Sequence, residues 1–318
     1  MVIQEDVRSG KAVRKAVPRR SHAAWVPPSD RQSPVEIITS QNGDRLQWLI
    51  PIRHWRMARS PFTFYRGAAK LMAADLSGTP VTGINAQICG DAHLSNFGLY
   101  GSPERKLVFD LNDFDETLPG PWEWDVKRLA VSFAIAAAHN ELDESQQSSL
   151  AVATTAAYRV TMAKLADMRY LEAWYSRIES QDLINAFKDE ATKKERSSAE
   201  KTFRKARSKD SLHVLGKLAE ESDDGYRIVS QPPLIVPLRD LADTADQVEL
   251  NHAIDAAFEA YLDSVPDHMQ VLLQRFRFSD VAVKVVGVGS VGTRCFIALL
   301  EGKDADDPLF IQVKEATR

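Results

Sequence analysis

The segment Gly90-Asp91-Ala92-His93-Leu94-Ser95-Asn96 sets a carboxylate, an imidazole and an amide at the spacing Asp-x-His-x-x-Asn. Further along, Asn112-Asp113-Phe114-Asp115-Glu116 adds a run of carboxylates. Asp91 can orient a hydroxyl or take its proton, and Asn96 and Asp113 offer the hard oxygens that Mg²⁺ prefers. These are the few groups that phosphoryl transfer from ATP asks of a protein, because that chemistry is mostly positioning and charge stabilisation. Asp125 lies in the first turn of an expected helix, where it can accept hydrogen bonds from loop amides or favour the positive helix end. Asp and Asn are also common turn residues. Glu116 fits that plainer role, as a solvated hairpin carboxylate, best.

A second set lies near the C-terminus. Val285 to Gly292 contains Gly-x-Gly-x-x-Gly, a weak signal alone, whose meaning depends on the next element of the chain. A helix after Gly292 would suit a dinucleotide fold. Thr293 to Leu300 instead reads as a strand, and strand, glycine loop, strand is the kinase type of phosphate cover. Gly287, Gly289, Ser290 and Gly292 would let backbone amides approach phosphate with no Cβ in the way. Phe310 to Lys314 is a further strand, and Lys314 stands where a lysine could grip the phosphates.

The elements that must position these groups can be read from periodicity. Ser60-Pro61 opens a helix, Ser as cap and Pro at the first turn, with an apolar stripe to about Asp75. Ile84–Cys89 alternates and reads as a strand, residues 90–97 as a loop, and Lys106–Leu111 as a second strand. Leu118-Pro119-Gly120-Pro121 reads as turn. Trp122 to about Asn140 is a helix, with Val126, Leu129, Ala130, Phe133 and Ala137 at helical spacing. Residues 144–223 read as helical throughout, and 248–276 as two more helices. The strands 281–288, 293–300 and 309–314 complete the chain.

The strings I-C-G-D-A-H-L-S-N-F-G, F-D-L-N-D-F-D-E-T and W-E-W-D-V-K-R-L-A-V-S resemble the bacterial family called domain of unknown function 2252. So do S-P-F-T-F-Y-R-G and V-V-G-V-G-S-V-G-T-R-C, over about residues 45–318. More distantly, they resemble the aminoglycoside phosphotransferase and protein-kinase-like superfamily. That resemblance implies that Asp91 is the catalytic base or hydroxyl-orienting carboxylate, and that Asn96 and Asp113 are Mg²⁺ ligands. It places His93 where protein kinases carry a phosphate-contacting Lys, and makes Asp125 a structural brace. The superfamily usually has a His just before Gly-Asp, where this chain has Cys89. The glycine loop and Lys come after the catalytic loop here, a circular permutation relative to common kinases.

The expected fold is α+β and kinase-like: a mobile basic arm over residues 1–40, a mostly helical catalytic lobe over 41–278, and an incomplete small β lobe over 279–318. The chain ends soon after Lys314, so the sequence reads as truncated before a Glu-bearing partner helix. The expected function is Mg-ATP-dependent phosphotransfer to an unknown hydroxyl on a small molecule or protein. The alternatives are a non-catalytic nucleotide-binding pseudokinase or scaffold and, less favoured, a metallophosphoesterase, which needs paired His and Asp ligands that the dispersed histidines do not offer. The net charge of −4 gives no general attraction to nucleic acid or anionic membrane. Two cysteines, no signal-like N-terminus and no long apolar run lead to an expected cytoplasmic location.

Overall fold

The computed structural model describes residues 10–186, 192–207, 211–223, 225–241 and 247–315. Arg8 of the basic arm, Ser208 and Lys209 of the charged run, and residues 316–318 lie outside the described residues. The architecture is α+β, with helices flanking four small sheets. The chain divides into two compact units, Met1–Leu183 and Ile184–Glu315.

In the first unit, β1 (Asn85–Ile88) pairs antiparallel with β4 (Leu118–Pro121). β2 (Phe97–Gly101) and β3 (Leu107–Leu111) form a hairpin, edged by the two-residue β5 (Ile178–Glu179). Two of these strands depart from the expectation. The sequence marks 118–121 as a turn because it holds two prolines, yet those prolines sit on a two-stranded ribbon, where Pro is tolerated at an edge. β2 carries Gly98 and Gly101, which erase the alternation that would announce a strand.

Helix boundaries obey local chemistry. Ser60 and Thr63 make reciprocal capping contacts, and Pro61 opens the Pro61–Arg66 helix. The stripe expected to reach Asp75 breaks after Arg66 and resumes as Ala69–Ser77. Ser33 and Glu36 form a capping box before Pro34–Ser40, whose Ile37 and Ile38 are buried. Arg31 forms a two-pronged ion pair with Asp75 (2.6 and 2.9 Å). The long Trp122–His139 helix buries Glu123, Arg128, Ala130, Ser132 and Ala137. Glu144–Asp167 packs along it, with Trp122 stacked on Tyr158 at 5.6 Å. Buried Arg, Glu and Ser on one helix are unusual, and Arg128 and Ser132 lead directly to the site.

The second unit is built around a four-stranded antiparallel sheet in the order β11-β10-β9-β8: β8 (Ile235–Pro237), β9 (Arg277–Lys284), β10 (Cys295–Glu301) and β11 (Pro308–Lys314). A hairpin of β6 (Ala219–Ser222) and β7 (Gly225–Ile228) interrupts the stretch expected to be helical to residue 223. Its core is Leu215, Ile228, Ile235, Ala282, Ile297 and Leu299. Asp280 accepts a hydrogen bond from Ile228 N (2.7 Å) and pairs with Arg239, while Glu301 accepts from Tyr226 N (2.6 Å). Those carboxylates fasten the hairpin to the sheet. Among the described residues, no helix is long and apolar enough to cross a membrane.

Candidate functional site

The loop after β1 begins with a forced glycine. Gly90 has φ +79°, and a Cβ there would lie 2.1 Å from the Glu116 carbonyl oxygen. Only glycine accepts both the left-handed backbone and that close approach. The loop is then closed by Asn96, whose Nδ2 donates to the carbonyls of Asp91 (3.1 Å) and Asp113 (2.7 Å). Asn112 N donates back to Asn96 O at 2.9 Å. Asn96 therefore ties the Asp91 loop to the end of β3. With both amide hydrogens engaged, its Oδ1 remains as the acceptor.

The Trp122–His139 helix holds the same loop from one face. Asp125, Arg128 and Ser132 fall at helical spacing and share that face. The Asp125 carboxylate accepts from Cys89 N (2.7 Å) and Gly90 N (3.1 Å). Ser132 Oγ accepts from Leu94 N (3.0 Å). Arg128, fully buried, donates through Nε to Asp91 Oδ1 (2.6 Å), and its Nη2 joins the same ion pair. Its Nη2 also donates to Tyr65 O (3.0 Å), its guanidinium lies 4.4 Å from the Tyr65 ring centroid, and the Tyr65 hydroxyl donates to Arg128 O (2.8 Å). Burying this ion pair is tolerable because nearly every donor is used.

The electrostatics are set by this packing. Burial pushes the Asp91 carboxyl up to about 6, against the pull of the Arg128 guanidinium, and Asp113 adds its repulsion. Asp91 is thus mostly ionised at neutral pH. Burial, with the charges of Arg128 and Arg66, pushes His93 down to about 4, so its imidazole is neutral. His93 Nε2 stands 3.6 Å from Asp91 Oδ2. Burial raises the Cys89 thiol to about 12, so it is a small packing group and not a nucleophile. Glu116 rises to about 7 through the protein packed around its carboxyl and the charges of Asp91, Asp115 and Asp113. Its surface is exposed, as expected of a solvated hairpin carboxylate, and its charge also couples to the acidic group.

Mg²⁺ bound together with phosphates needs only one or two protein oxygens. Asn96 Oδ1 and the Asp113 carboxylate provide that donor set, and the mutual repulsion of Asp91, Asp113 and Glu116 favours a cation nearby. In donor chemistry, these residues suit the ion. Among the described residues, no three His, Cys, Asp or Glu side chains are arranged as a metal cage.

Asp91, His93, Asn96, Asp113 and Asp125 all belong to the first unit, whereas Gly287, Gly289, Ser290, Gly292 and Lys314 belong to the second. The glycine segment links β9 to β10, and no helix begins after Gly292. Thr293 N (3.2 Å) and Oγ1 (2.8 Å) both donate to Ser290 O, closing a turn that contains Gly292, which like Gly287 takes positive φ. Lys314 ends β11 opposite Cys295.

Sequence reasoning missed Arg128 and Ser132. They lie one and two turns beyond Asp125 in W-E-W-D-V-K-R-L-A-V-S, off the apolar stripe of Val126, Leu129, Phe133 and Ala137.

The family described as "Uncharacterized protein conserved in bacteria (DUF2252)" matches residues 45–318, and the chain belongs to it. No curated protein and no solved structure gives a significant match.

Proposed function

We propose that this member of the DUF2252 family is a kinase-like, Mg-ATP-dependent phosphotransferase acting on a hydroxyl, with Asp91 as the group that receives or orients the acceptor. The observation that supports it is the Asn96 bridge, which holds a buried, ionised Asp91 beside the hard oxygens of Asp113. Arg128 occupies Asp91 Oδ1 and fixes the carboxylate plane. Oδ2, which accepts no hydrogen bond among the described residues, is the oxygen left for an acceptor hydroxyl. A pKa of about 6 gives Asp91 enough basicity to take that proton as the bond to phosphorus forms. Asp125 and Ser132 keep the loop backbone from drifting, which matters because small misplacements are costly in a reaction governed by positioning. Mg-ATP, when bound, supplies the phosphoryl group and shields its charge. Asn96 and Asp113 would hold the ion.

The test is Mg²⁺-dependent ATP binding and turnover by the purified chain. Asp91→Asn should abolish turnover while leaving nucleotide affinity within a few fold, and Asp113→Asn should raise the Mg²⁺ requirement. Binding with no turnover in the wild type would turn the reading toward a pseudokinase. No Mg-dependent ATP binding at all would sink it.

A further inference from the structure

Arg66 takes no part in the hydrogen-bond network around Asp91, although it is the last residue of the Pro61–Arg66 helix and directly follows Tyr65. Tyr65 is pinned at its carbonyl, its ring and its hydroxyl by Arg128. The backbone that carries Arg66 is therefore fixed relative to Asp91. Arg66 itself makes no hydrogen bond and no ion pair among the described residues, and its Nε is buried without a partner. His93, only 6% exposed, likewise has a buried Nδ1 without a partner. The Arg66 charge acts on both Asp91 and His93, so the three groups share one neighbourhood.

The two guanidiniums near Asp91 differ in how their charge is met. Arg128 is neutralised by Asp91 within a tight ion pair. Arg66 has no such counter-ion. A half-buried guanidinium with an unsatisfied donor, beside a buried neutral imidazole with an unpartnered ring nitrogen, is costly to hold unless an anion completes it. A guanidinium presents several N–H groups in a planar fork suited to a tetrahedral oxyanion. It also offsets the repulsion that Asp91 would otherwise exert on an incoming phosphate.

We propose that Arg66 and His93 form a phosphoryl-oxyanion subsite next to Asp91, a role that deepens and rests on the phosphotransfer reading. The oxyanion belongs either to the terminal phosphate of the nucleotide or to a phosphate carried by the acceptor. Arg66 is then the cation of the chemical step, and His93 supplies one neutral N–H donor through the tautomer that places the proton on Nδ1, the nitrogen turned from Asp91.

The experiment is calorimetric titration of inorganic phosphate into the wild type, Arg66→Gln, Arg66→Lys and His93→Ala, with Arg59→Gln as control. Arg59 is an exposed guanidinium stacked on Trp55, away from this network. Arg66→Gln should weaken phosphate binding about tenfold, the worth of one hydrogen bond to a charged group. Arg66→Lys should recover part of that loss, His93→Ala should weaken binding several-fold, and Arg59→Gln should change nothing. Competition separates the two sources: displacement of phosphate by Mg-AMP-PNP but not by Mg-ADP assigns the subsite to the nucleotide. Phosphate bound in the presence of both assigns it to the acceptor. Should Arg66→Gln fail to fold, phosphate protection of Arg66 from phenylglyoxal, read by mass spectrometry on the wild type, serves instead. Phosphate affinity unchanged in Arg66→Gln, no phosphate binding by the wild type, or no protection overturns the subsite. ATP turnover with an Arg66-independent phosphate site leaves the phosphotransfer reading standing alone. Arg66-dependent phosphate binding with no ATP turnover leaves the subsite standing and removes the phosphotransfer reading.

Discussion

The Asp91 loop and the β9–β11 sheet solve the problem of fixed geometry in opposite ways. The loop has little backbone ladder of its own. It is held by single side chains, each with a distinct partner: Asn96 to two carbonyls, Asp125 to two amides, Ser132 to one amide and Arg128 to the Asp91 carboxylate. The sheet is held by continuous strand pairing over an apolar core, and its polar fasteners, Asp280 and Glu301, only tie on the β6–β7 hairpin. A polar network with one partner per group places atoms accurately and fails abruptly. A ladder over a core fails gradually, because its energy is spread over many small contacts.

The sharpest way to break this contrast is Arg128→Met. It leaves a buried Asp91 carboxylate without its counter-charge and frees the Tyr65 carbonyl, so unfolding stability should drop by about 3–5 kcal/mol. Urea denaturation measures it, and a loss below about 1 kcal/mol would mean the loop does not depend on this pair. Leu299→Ala, in the fully buried centre of the sheet, should cost about 2–4 kcal/mol as a cavity. Amide exchange should locate that loss along β9, β10 and β11, with the strand pairing otherwise retained. Exchange that instead collapses all protection in these strands would show the sheet to be as brittle as the loop.

The smallest effect is on pH. Asp91 has a native pKa near 6, above its ordinary 3.8, so the folded state binds the extra proton and stability falls as pH rises from about 4 to 6. Glu116, near 7 instead of 4.5, pulls the same way. His93, near 4 rather than 6.5, has the opposite sign: the unfolded state binds the proton, so stability rises with pH from about 4 to 6.5. In the wild type the two declines outweigh the single rise, and His93 offsets only part of them. His93→Gln should remove the rising contribution and steepen that decline between pH 4 and 6.5, measured as denaturation midpoints. A flat profile in that variant would refute the assigned balance.

The contrast also explains what could be read in advance. Trp122–His139, the Ser60 cap and strands β9, β10 and β11 are dictated by apolar period and capping chemistry, and these were legible, while β8 was not. β4 and β2 were not, since proline and glycine hide a strand whose pairing is decided by the chain opposite. The Asp91, Asn96 and Asp113 positions stood out by residue type and spacing. Arg128 did not, because a basic residue on a helix is normally a solvated one, and only the fold turns it inward. Tyr65 and Arg66 lay outside the segment that looked chemical, and tertiary packing alone brings them to it.

The shared face of Asp125, Arg128 and Ser132 has a consequence for changes in chain length. Each helical residue advances the side-chain direction by about 100°. Removing or adding one residue between Asp125 and Ser132 would swing at least one of the three contacts off the loop, however conservative the remaining sequence. The Gly101–Lys106 turn joining β2 to β3, exposed over Glu104 to Lys106, has no such phase to keep. Homologous chains should therefore vary in length at that turn and hold a constant count of residues across the helix, even where the residue types between the three contacts differ.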